Sequence, residues 1–346
     1  MTELKKVYQG IGKDLKKVNE LIVESFKKSE NQSIMKMGGF LMASPGKRIR
    51  PALAILSARA SLTYKPGLTR SLKERTQNLN RQLVRIASAI ELIHIASLLH
   101  DDVIDHSRIR HNKPTINSKW GKDVAIVLGD YMYSVAFELI SESGNPDIIH
   151  CVSCAVKEMS EGELIQVCER DNLDLLKKRY IIIVKKKTAS LFAASCQIGA
   201  LASNSPDFLR SALKEYGINL GIAFQIVDDY LDLVGEEENL GKKPGQDINI
   251  GEMTLPLLNL LESVPVTKRK ALRILLTSKK DKETLRKIKE MLFDSGAVLK
   301  TKEVVTSYVN SATKKLDIFP DSEYKKGLIS MAGFIMKRGF NDSVSR

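Results

Sequence analysis

The sequence is poor in cysteine, proline and aromatic residues, and each shortage excludes a class of protein. Four cysteines among 346 residues are too few for a disulfide-stabilised scaffold. Ten prolines and an aromatic content of 6% exclude a proline-rich linker protein. Hydrophobic residues make up 43% of the chain and charged residues 27%, which is enough for a sizeable core. We therefore expect a folded chain and not a disordered one.

Long apolar runs are also missing. No stretch approaches the ~18 consecutive apolar residues of a membrane span. The segment 1–17 alternates charge and lacks the apolar centre of a secretory signal. Cys151 and Cys154 are spaced as C-x-x-C, but no second pair follows that could complete a zinc site, so we interpret them as buried thiols. These absences predict a soluble, reduced, cytoplasmic protein.

Basic residues clearly outnumber acidic ones. Lys and Arg number 54 against 41 Asp and Glu, which gives a net charge of +13. Such a surplus favours an anionic partner, either nucleic acid, an acidic membrane surface or a polyphosphate substrate, or else it only keeps a surface solvated. No recognition motif and no interleaving of aromatic with basic residues accompanies it, so we do not expect nucleic acid. Peripheral contact with an acidic membrane stays open.

Apolar residues recur at three- and four-residue steps along most of the chain, which is typical of helices. The clearest ranges are 83–99, 124–140 and 181–202. Strand-like alternation is scarce, and no segment is rich enough in Pro, Gly or Ser to divide the chain. The sequence predicts one all-α domain over residues 1–346. The helical pattern is broken by segments that contain glycine, proline or many polar residues, which are 43–46, 64–80, 143–146 and 235–256.

Two aspartate triplets share one pattern. SLLHDDVID and FQIVDDYLD each place two adjacent aspartates in an apolar run and a third aspartate four residues after the first. On a helix this spacing puts two carboxylates on one face. Carboxylates among apolar residues need a cation, and neither triplet contains Lys or Arg. Oxygen ligands without His or Cys favour Mg²⁺ over zinc. The predicted metal ligands are Asp101, Asp102, Asp105, Asp228, Asp229 and Asp232.

Basic residues near the triplets predict a phosphate-bearing substrate. Mg²⁺ held by a few carboxylates completes its coordination with water and substrate phosphate. Lys47, Arg48 and Arg50 stand at a predicted helix start, where free backbone N–H groups also favour an anion. His94 precedes Asp101 by seven residues, about two helical turns, so the two residues share a helix face.

Together these segments resemble the trans-polyprenyl diphosphate synthases. The resemblance rests on GKRIRP at 46–51, HDDVID at 100–105, RIRHNKPT at 108–115, FQIVDDYLD at 224–232, and GKKPGQD with GEMTLP at 241–256. It implies the isoprenoid synthase fold, in which long antiparallel helices surround a deep central cavity, and a homodimer. It also implies the reaction: an allylic diphosphate of the farnesyl or geranyl type loses diphosphate with the help of Mg²⁺, and the double bond of isopentenyl diphosphate attacks the cation.

The resemblance also assigns roles by position. The six aspartates would hold three Mg²⁺ ions on the allylic diphosphate, and Lys187 would join them as a catalytic group. The residues expected to bind isopentenyl diphosphate are Lys47, Arg50, His94 and His111. Those expected around the allylic diphosphate are Arg110, Lys187, Thr188, Gln225 and Lys242.

The chain departs from the family pattern at three places. The family usually has two arginines after the first triplet, but here Arg110 is followed by His111, which would bind a diphosphate only when protonated or through a neutral hydrogen bond. Glu252 stands where a lysine is common, which removes one cation near the allylic diphosphate. A basic insertion at about 64–81 is expected to be a surface loop, and no function is assigned to it.

Product length in such a cavity is a steric question. Ala96 and Ser97 lie one turn before Asp101, where a growing chain would meet them first, and both are small. This resembles the long-chain members, whose products become quinone side chains, with Phe137 as the expected floor of the cavity. The alternatives are a geranylgeranyl or farnesyl diphosphate synthase and a non-catalytic regulatory subunit of a heteromeric synthase. A terpene cyclase is disfavoured by GKRIRP, which a second diphosphate requires.

Overall fold

The computed structural model describes residues 2–44, 46–64, 72–110, 112–235, 244–278 and 281–340, without the side chains of residues 2, 3, 5, 6 and 72–77. The described backbone is almost entirely helical, and the strands found in it are two residues long each. This confirms the predicted all-α fold class.

The elements follow one another along the chain with few long connections. Up to residue 168 they are α1 (Thr2–Gln9), α2 (Gly12–Lys27), α3 (Gln32–Met42), α4 (Ile49–Thr63), α5 (Leu72–Ile104), β1 (Ile109–Arg110), β2 (Lys113–Pro114), α6 (Ile116–Trp120), α7 (Lys122–Ser141) and α8 (Pro146–Cys168). The later elements are α9 (Lys177–Val184), a π-helical turn (Lys185–Ala189), α10 (Ser190–Ala202), α11 (Asp207–Val234), α12 (Gln246–Asn249), α13 (Leu255–Ser263), α14 (Val266–Thr277), α15 (Lys282–Asp294), α16 (Ala297–Lys314) and α17 (Glu323–Phe340).

The chain forms two compact units. The first consists of Met1–Val156, Leu191–Gly217 and Thr313–Met331. The second consists of Lys157–Ser190, Ile218–Ala312 and Ala332–Arg346. The first triplet lies in the first unit and the second triplet in the second unit. The expectation of a single domain over 1–346 stays a prediction.

In the first unit, α5 and α7 form the most extensive pair of helices among the described residues. On α5 the residues Ile86, Ile90 and Ile93 are each no more than 1% exposed, which is the helical spacing that the sequence predicted. Gly129 of α7 allows close approach, because a Cβ atom there would lie 2.3 Å from Nε2 of His100. This packing holds the end of α5, and with it the first triplet.

The expected surface loop at 64–81 is wrong in its second half, because α5 already begins at Leu72. Residues 72–81 read LKERTQNLNR, and most of these are good helix formers that extend α5 without needing an apolar stripe of their own. Residues 65–71 lie outside the described part of the chain.

Residues 181–202 were predicted as one helix and are helical throughout, but a π-helical turn at Lys185–Ala189 separates α9 from α10. In the second unit Gly162 of α8 lies directly against this turn. A Cβ atom at Gly162 would lie 2.4 Å from the backbone nitrogen of Lys187. Only glycine fits there, so α8 approaches the backbone of Lys187 directly.

Within the described part of the chain, two helical segments are long and apolar enough to cross a bilayer, 78–104 and 122–141. In the first, 67% of the most apolar stretch is buried in the protein, as in a core helix. In the second, which is α7, only 33% is buried. The apolar side chains of Ile126 and Val127 are 42% and 65% exposed on α7. The cytoplasmic location stays a prediction.

Candidate active site

The first triplet lies at the end of α5, where the chain turns sharply. His106 adopts a left-handed conformation with φ of 53°. The N–H of Ser107 donates to the carbonyl of Asp102 at 2.9 Å, and the N–H of His106 donates to the carbonyl of Val103 at 3.3 Å. These two bonds form a Schellman cap. Asp105 is the residue at the cap, and its N–H still donates to the carbonyl of Asp101 at 2.8 Å, so the expected one-turn spacing is kept.

Arg110 reaches back to the first triplet. Its Nε lies 3.0 Å and its Nη2 lies 2.9 Å from Oδ1 of Asp102, whose side chain is buried. Burial alone would lower the pKa of Arg110, but the charge of Asp102, with those of Asp101 and Asp105, raises it. Arg110 is therefore firmly cationic beside the triplet, as its predicted role requires.

A short hairpin explains why Arg110 arrives there. Arg110 pairs with Lys113 across β1 and β2. Nδ2 of Asn117 donates to the carbonyls of Asp102 and Ser107, both at 3.0 Å, and the hydroxyl of Thr115 donates to the carbonyl of Ser107 at 2.9 Å. These bonds hold the hairpin against the end of α5. His111, predicted to bind isopentenyl diphosphate, lies outside the described residues.

The GKRIRP segment enters α4, but its three cations are not equivalent. Lys47 is exposed, whereas Arg50 is 9% exposed with its guanidinium 4.7 Å from the centre of the Phe192 ring. Arg48 turns inward, and its Nη1 lies 2.6 Å from Oε1 of Glu91 on α5. Arg48 is therefore engaged inside the protein, whereas Lys47 and Arg50 are the two cations of the segment that were predicted to bind isopentenyl diphosphate.

The other predicted residues of the first unit lie along α5 and α7. His94 and Ser97 are half-buried on α5, and the hydroxyl of Ser97 donates to the carbonyl of His94 at 2.8 Å. Ala96 is fully buried. Phe137 is half-buried on α7. Their roles in substrate binding and chain length stay predictions.

The second triplet lies in the last two turns of α11. Asp229 and Asp232 are 5% and 2% exposed. Oδ2 of Asp232 accepts a hydrogen bond from the N–H of Asp247 at 3.0 Å, which ties the start of α12 to the triplet. Asp228 is less buried and forms an ion pair with Arg338 of α17. The predicted one-face arrangement of Asp228 and Asp232 follows from the helix.

Asp229 is surrounded by neutral hydrogen-bond donors. The hydroxyl of Tyr180 donates to Oδ2 at 2.5 Å, and Nε2 of Gln225 donates to Oδ1 at 2.8 Å. Burial raises the pKa of Asp229 to about 7, and the charges of Glu252 and Asp228 add to the rise, although the two hydrogen bonds oppose it. A carboxylate in this position calls for a nearby cation.

Thr188 and Gln225, which were predicted to contact the allylic diphosphate, lie beside the second triplet, and Lys187 precedes Thr188 on the π-helical turn. The hydroxyl of Thr188 donates to Oε1 of Gln225 at 2.7 Å, so Thr188, Gln225 and Asp229 form one chain of hydrogen bonds. Lys187 pairs with Glu163 of α8 at 2.5 Å. Lys187 is the residue of the π-helical turn whose backbone Gly162 of α8 approaches directly.

The sequence predicted two further residues, Lys242 and Glu252, near the allylic diphosphate. Lys242 lies outside the described residues. Glu252 is 3.6 Å from Nη2 of Arg170, so the negative charge that replaces the usual lysine has its own cation. Among the described residues, no three carboxylate, imidazole or thiolate side chains converge as a ready metal site. The carboxylates instead face arginine, tyrosine and glutamine.

Sequence reasoning missed four partners of these residues: Glu91, Glu163, Tyr180 and Arg338. Glu91 had a usable signal, because a carboxylate in an apolar helix predicts a buried cation. Glu163 ends the segment SEGE at 160–163, and its distance along the chain from Lys187 matches no local pattern that would predict their ion pair. Tyr180 and Arg338 are 49 and 110 residues from their aspartates, and no local pattern connects them.

The chain matches the family model described as polyprenyl synthetase over residues 31–292. It is 32% identical to octaprenyl diphosphate synthase of Escherichia coli, over 97% of this chain and 99% of that protein. It is 33% identical to a short chain isoprenyl diphosphate synthase of Methanothermobacter thermautotrophicus, over 92% and 95%. The crystal structure of a polyprenyl synthase from Caulobacter crescentus complexed with calcium and isoprenyl diphosphate superposes with a TM-score of 0.86 at 31% identity, over 99% of this chain and 98% of that one.

Proposed function

Since the chain belongs to the polyprenyl synthetase family and is a prenyltransferase, we propose that it is a long-chain trans-polyprenyl diphosphate synthase whose product becomes a quinone side chain. The observations that carry the proposal are the two aspartate triplets, in which Asp102, Asp229 and Asp232 are buried, and the small residue Ala96 one turn before the first triplet. The substrates are isopentenyl diphosphate and an allylic diphosphate of the farnesyl or geranyl type.

The triplets fit a hard divalent cation by their donor chemistry, because every side chain in them offers carboxylate oxygen. Asp229 and Asp232 are buried, where a negative charge needs a cation. Asp102 and Asp228 already carry Arg110 and Arg338, which shows that positive charge is favoured at both triplets. We infer that the six aspartates hold three Mg²⁺ ions, and the relative from Caulobacter crescentus was crystallised with calcium. When bound, Mg²⁺ would stabilise the negative charge that builds on the departing diphosphate.

Residues beside each of the two triplets contact the allylic diphosphate. Lys187 and Thr188 supply a cation and a hydroxyl from the π-helical turn, and Gln225 orients Thr188 through the 2.7 Å hydrogen bond. Arg110 supplies a further cation beside the first triplet. These groups hold the leaving oxygens as the C–O bond breaks, so that the electron pair leaves with diphosphate.

Isopentenyl diphosphate is bound by Lys47 and Arg50 at the start of α4, with His94 and His111. Its double bond supplies the electron pair for the new C–C bond. A proton then leaves the resulting cation and is taken by the departed diphosphate, so no side-chain nucleophile is required. The reaction yields a chain five carbons longer and one diphosphate.

Product analysis with farnesyl diphosphate, isopentenyl diphosphate and Mg²⁺ tests the proposed length. We expect a main product longer than geranylgeranyl diphosphate. If the growing chain passes α5 at this position, Ala96→Tyr should shorten the product, because an aromatic ring is far larger than the methyl group of Ala96. The matched control is Ala125→Tyr, which introduces the same ring at a buried alanine of α7. A main product of geranylgeranyl length or less in the parent enzyme would contradict the proposal of a long-chain synthase.

A geranylgeranyl or farnesyl diphosphate synthase is the second candidate, and the similarity to a short chain synthase favours it. A regulatory subunit is disfavoured because all six aspartates are present. Chelator-sensitive release of diphosphate by the purified chain alone would separate an enzyme from such a subunit.

We infer a homodimer from the exposed apolar side chains of α7. Ile126 and Val127 stand on a helix whose most apolar stretch is only 33% buried, which suits coverage by a second copy of the chain. Val127→Lys should shift the mass measured by light scattering toward the monomer. An unchanged dimer would place the interface elsewhere, and a monomeric parent would refute the inference.

A further inference from the structure

Arg48 has an unusual backbone for an arginine. It precedes the first residue of α4 with φ of 54° and ψ of 37°, in the left-handed region. That region favours glycine, because a Cβ atom crowds the following carbonyl. Its carbonyl still accepts the first helical bond, from the N–H of Ala52 at 3.1 Å. Something other than local preference must hold Arg48 in this conformation.

The side chain of Arg48 supplies that restraint through buried contacts. Its Nη1 lies 2.6 Å from Oε1 of Glu91, and its Nε donates to Oδ1 of Asn19 at 2.6 Å. Its Nη2 lies 3.6 Å from the sulfur of Met42. Arg48 and Glu91 are 6% and 3% exposed. The planar guanidinium, with its fixed directions, is therefore engaged by α2, α3 and α5 at once.

A buried ion pair is weak evidence for stability, because an apolar pair of similar size often serves as well. Its value here lies in geometry. Lys47 and Arg50 flank Arg48, and the carbonyl of Lys47 accepts a hydrogen bond from the hydroxyl of Tyr8 at 2.5 Å. If Arg48 relaxed to the right-handed region, the backbone would rotate between Lys47 and Arg50, and the position of one cation relative to the other would change.

Glu91 also connects the segment to the first triplet. It lies on α5 three residues before His94 and ten before Asp101. We propose that Arg48 and Glu91 are positioning residues that hold the turn before α4, so that Lys47 and Arg50 are presented to isopentenyl diphosphate in a fixed relation to α5. This rests on the proposed function, in which Lys47 and Arg50 bind that diphosphate.

Steady-state kinetics of Arg48→Met and Glu91→Gln test the proposal, with each substrate varied at saturation of the other and well below each variant's Tm. Misplacing the two cations should raise the KM for isopentenyl diphosphate about ten- to hundredfold. The KM for the allylic diphosphate should stay within about twofold, and kcat should stay within a few-fold, because the first triplet is untouched. Arg48→Gly keeps a backbone suited to the left-handed region without the ion pair, and it should show a smaller rise than Arg48→Met.

Arg59→Met is the matched control. Arg59 forms an ion pair with Asp14 in the same unit, with side chains 23% and 14% exposed, and stacks near the Tyr324 ring. It touches neither Lys47 nor Arg50. Its loss should lower Tm but leave both KM values unchanged. If Arg59→Met raised the KM for isopentenyl diphosphate as much as Arg48→Met did, a general loss of stability would explain the effect and the proposal would fall.

Two further variants separate this proposal from the proposed function. Lys47→Ala and Arg50→Ala should each raise the KM for isopentenyl diphosphate. If they did not, the assigned diphosphate contacts would be wrong. If they did and both Arg48→Gly and Glu91→Gln kept the parent KM, the positioning role alone would be refuted. Glu91→Gln retains volume and a hydrogen-bond acceptor, so it keeps the test decisive even if Arg48→Met does not fold.

Discussion

The two aspartate triplets have the same sequence pattern and opposite surroundings. In the first, the buried carboxylate of Asp102 is matched by Arg110, eight residues away along the chain. In the second, Asp229 is buried among neutral donors, Tyr180 and Gln225, and burial raises its pKa to about 7. The charge of the first triplet is therefore balanced by its own segment. The second holds a carboxylate whose negative charge is disfavoured until a cation arrives.

Loss of a carboxylate from either triplet should abolish most of the activity despite this difference. Asp102→Asn and Asp229→Asn should each lower kcat at least ~100-fold, because both remove charge that the metal-assisted step needs. Diphosphate release with both substrates and Mg²⁺ measures the effect. Asp317→Asn, at an exposed position of the first unit, is the control and should be neutral. Full activity of either triplet variant would remove that triplet from the active site.

The same two variants should change stability in opposite directions in the presence of a chelator. Asp102→Asn breaks a buried ion pair and should cost about 1–2 kcal/mol, less than a fully buried pair because Arg110 is partly exposed.

Asp229→Asn removes a disfavoured buried charge and keeps groups that can bond to Tyr180 and Gln225. At pH 8 it should stabilise the metal-free protein by about 1–3 kcal/mol. Urea unfolding at pH 8 measures both changes. Equal signs for the two variants would contradict the contrast between the triplets.

The stabilising effect of Asp229→Asn should depend on pH. The pKa of Asp229 is about 7 in the folded protein and about 4 in an unfolded chain, so the folded state binds the proton more tightly. The stability that this proton adds is fully present below about pH 4 and is lost as the pH rises through about 7. With chelator present, the gain from Asp229→Asn over the parent should grow between pH 5 and pH 8. A gain that stayed constant across this range would show that Asp229 is ionised throughout.

Arg338→Met should have the smallest effect of the series. Arg338 pairs with Asp228, and the two side chains are 24% and 31% exposed, so their attraction is partly screened. We expect the metal-free protein to lose about 0.5–1 kcal/mol, measured by urea unfolding. Lys300→Met, an exposed lysine of the same unit, should change nothing. A loss as large as that of Asp102→Asn would show that the second triplet depends on an arginine as the first one does.

Much of the fold was predictable because the apolar periodicity of a helix is visible within a short stretch of sequence. The apolar spacing over 83–99 and 124–140 predicted parts of α5 and α7, and the structure confirms both. The loop expected at 64–81 is wrong for residues 72–81, because a polar segment made of good helix formers continues a helix without any apolar stripe. The π-helical turn at Lys185–Ala189 was not predictable, because it accompanies the approach of Gly162 from another helix.

The candidate site likewise has features that consecutive residues set and features that distant residues set. Local structure sets the first triplet. The helix sets the spacing of Asp101 and Asp105, and the helix cap at Asp105 together with the β1–β2 hairpin brings Arg110 back to Asp102. The partners of Asp228, Asp229 and Lys187 come from 110, 49 and 24 residues away. No pattern in the sequence marks them, because packing decides which distant side chain meets a given carboxylate.

By itself the sequence determined the helical class and the two triplets, and it predicted a hard divalent cation from their oxygen donors, because periodicity and donor chemistry are properties of neighbouring residues. Only the tertiary structure decided how each carboxylate is balanced. Burial and distant partners place an arginine beside Asp102, neutral donors around Asp229, and Glu91 opposite Arg48. Protonation and side-chain direction depend on the local dielectric and on contacts between helices, and the order of the residues does not encode either one locally.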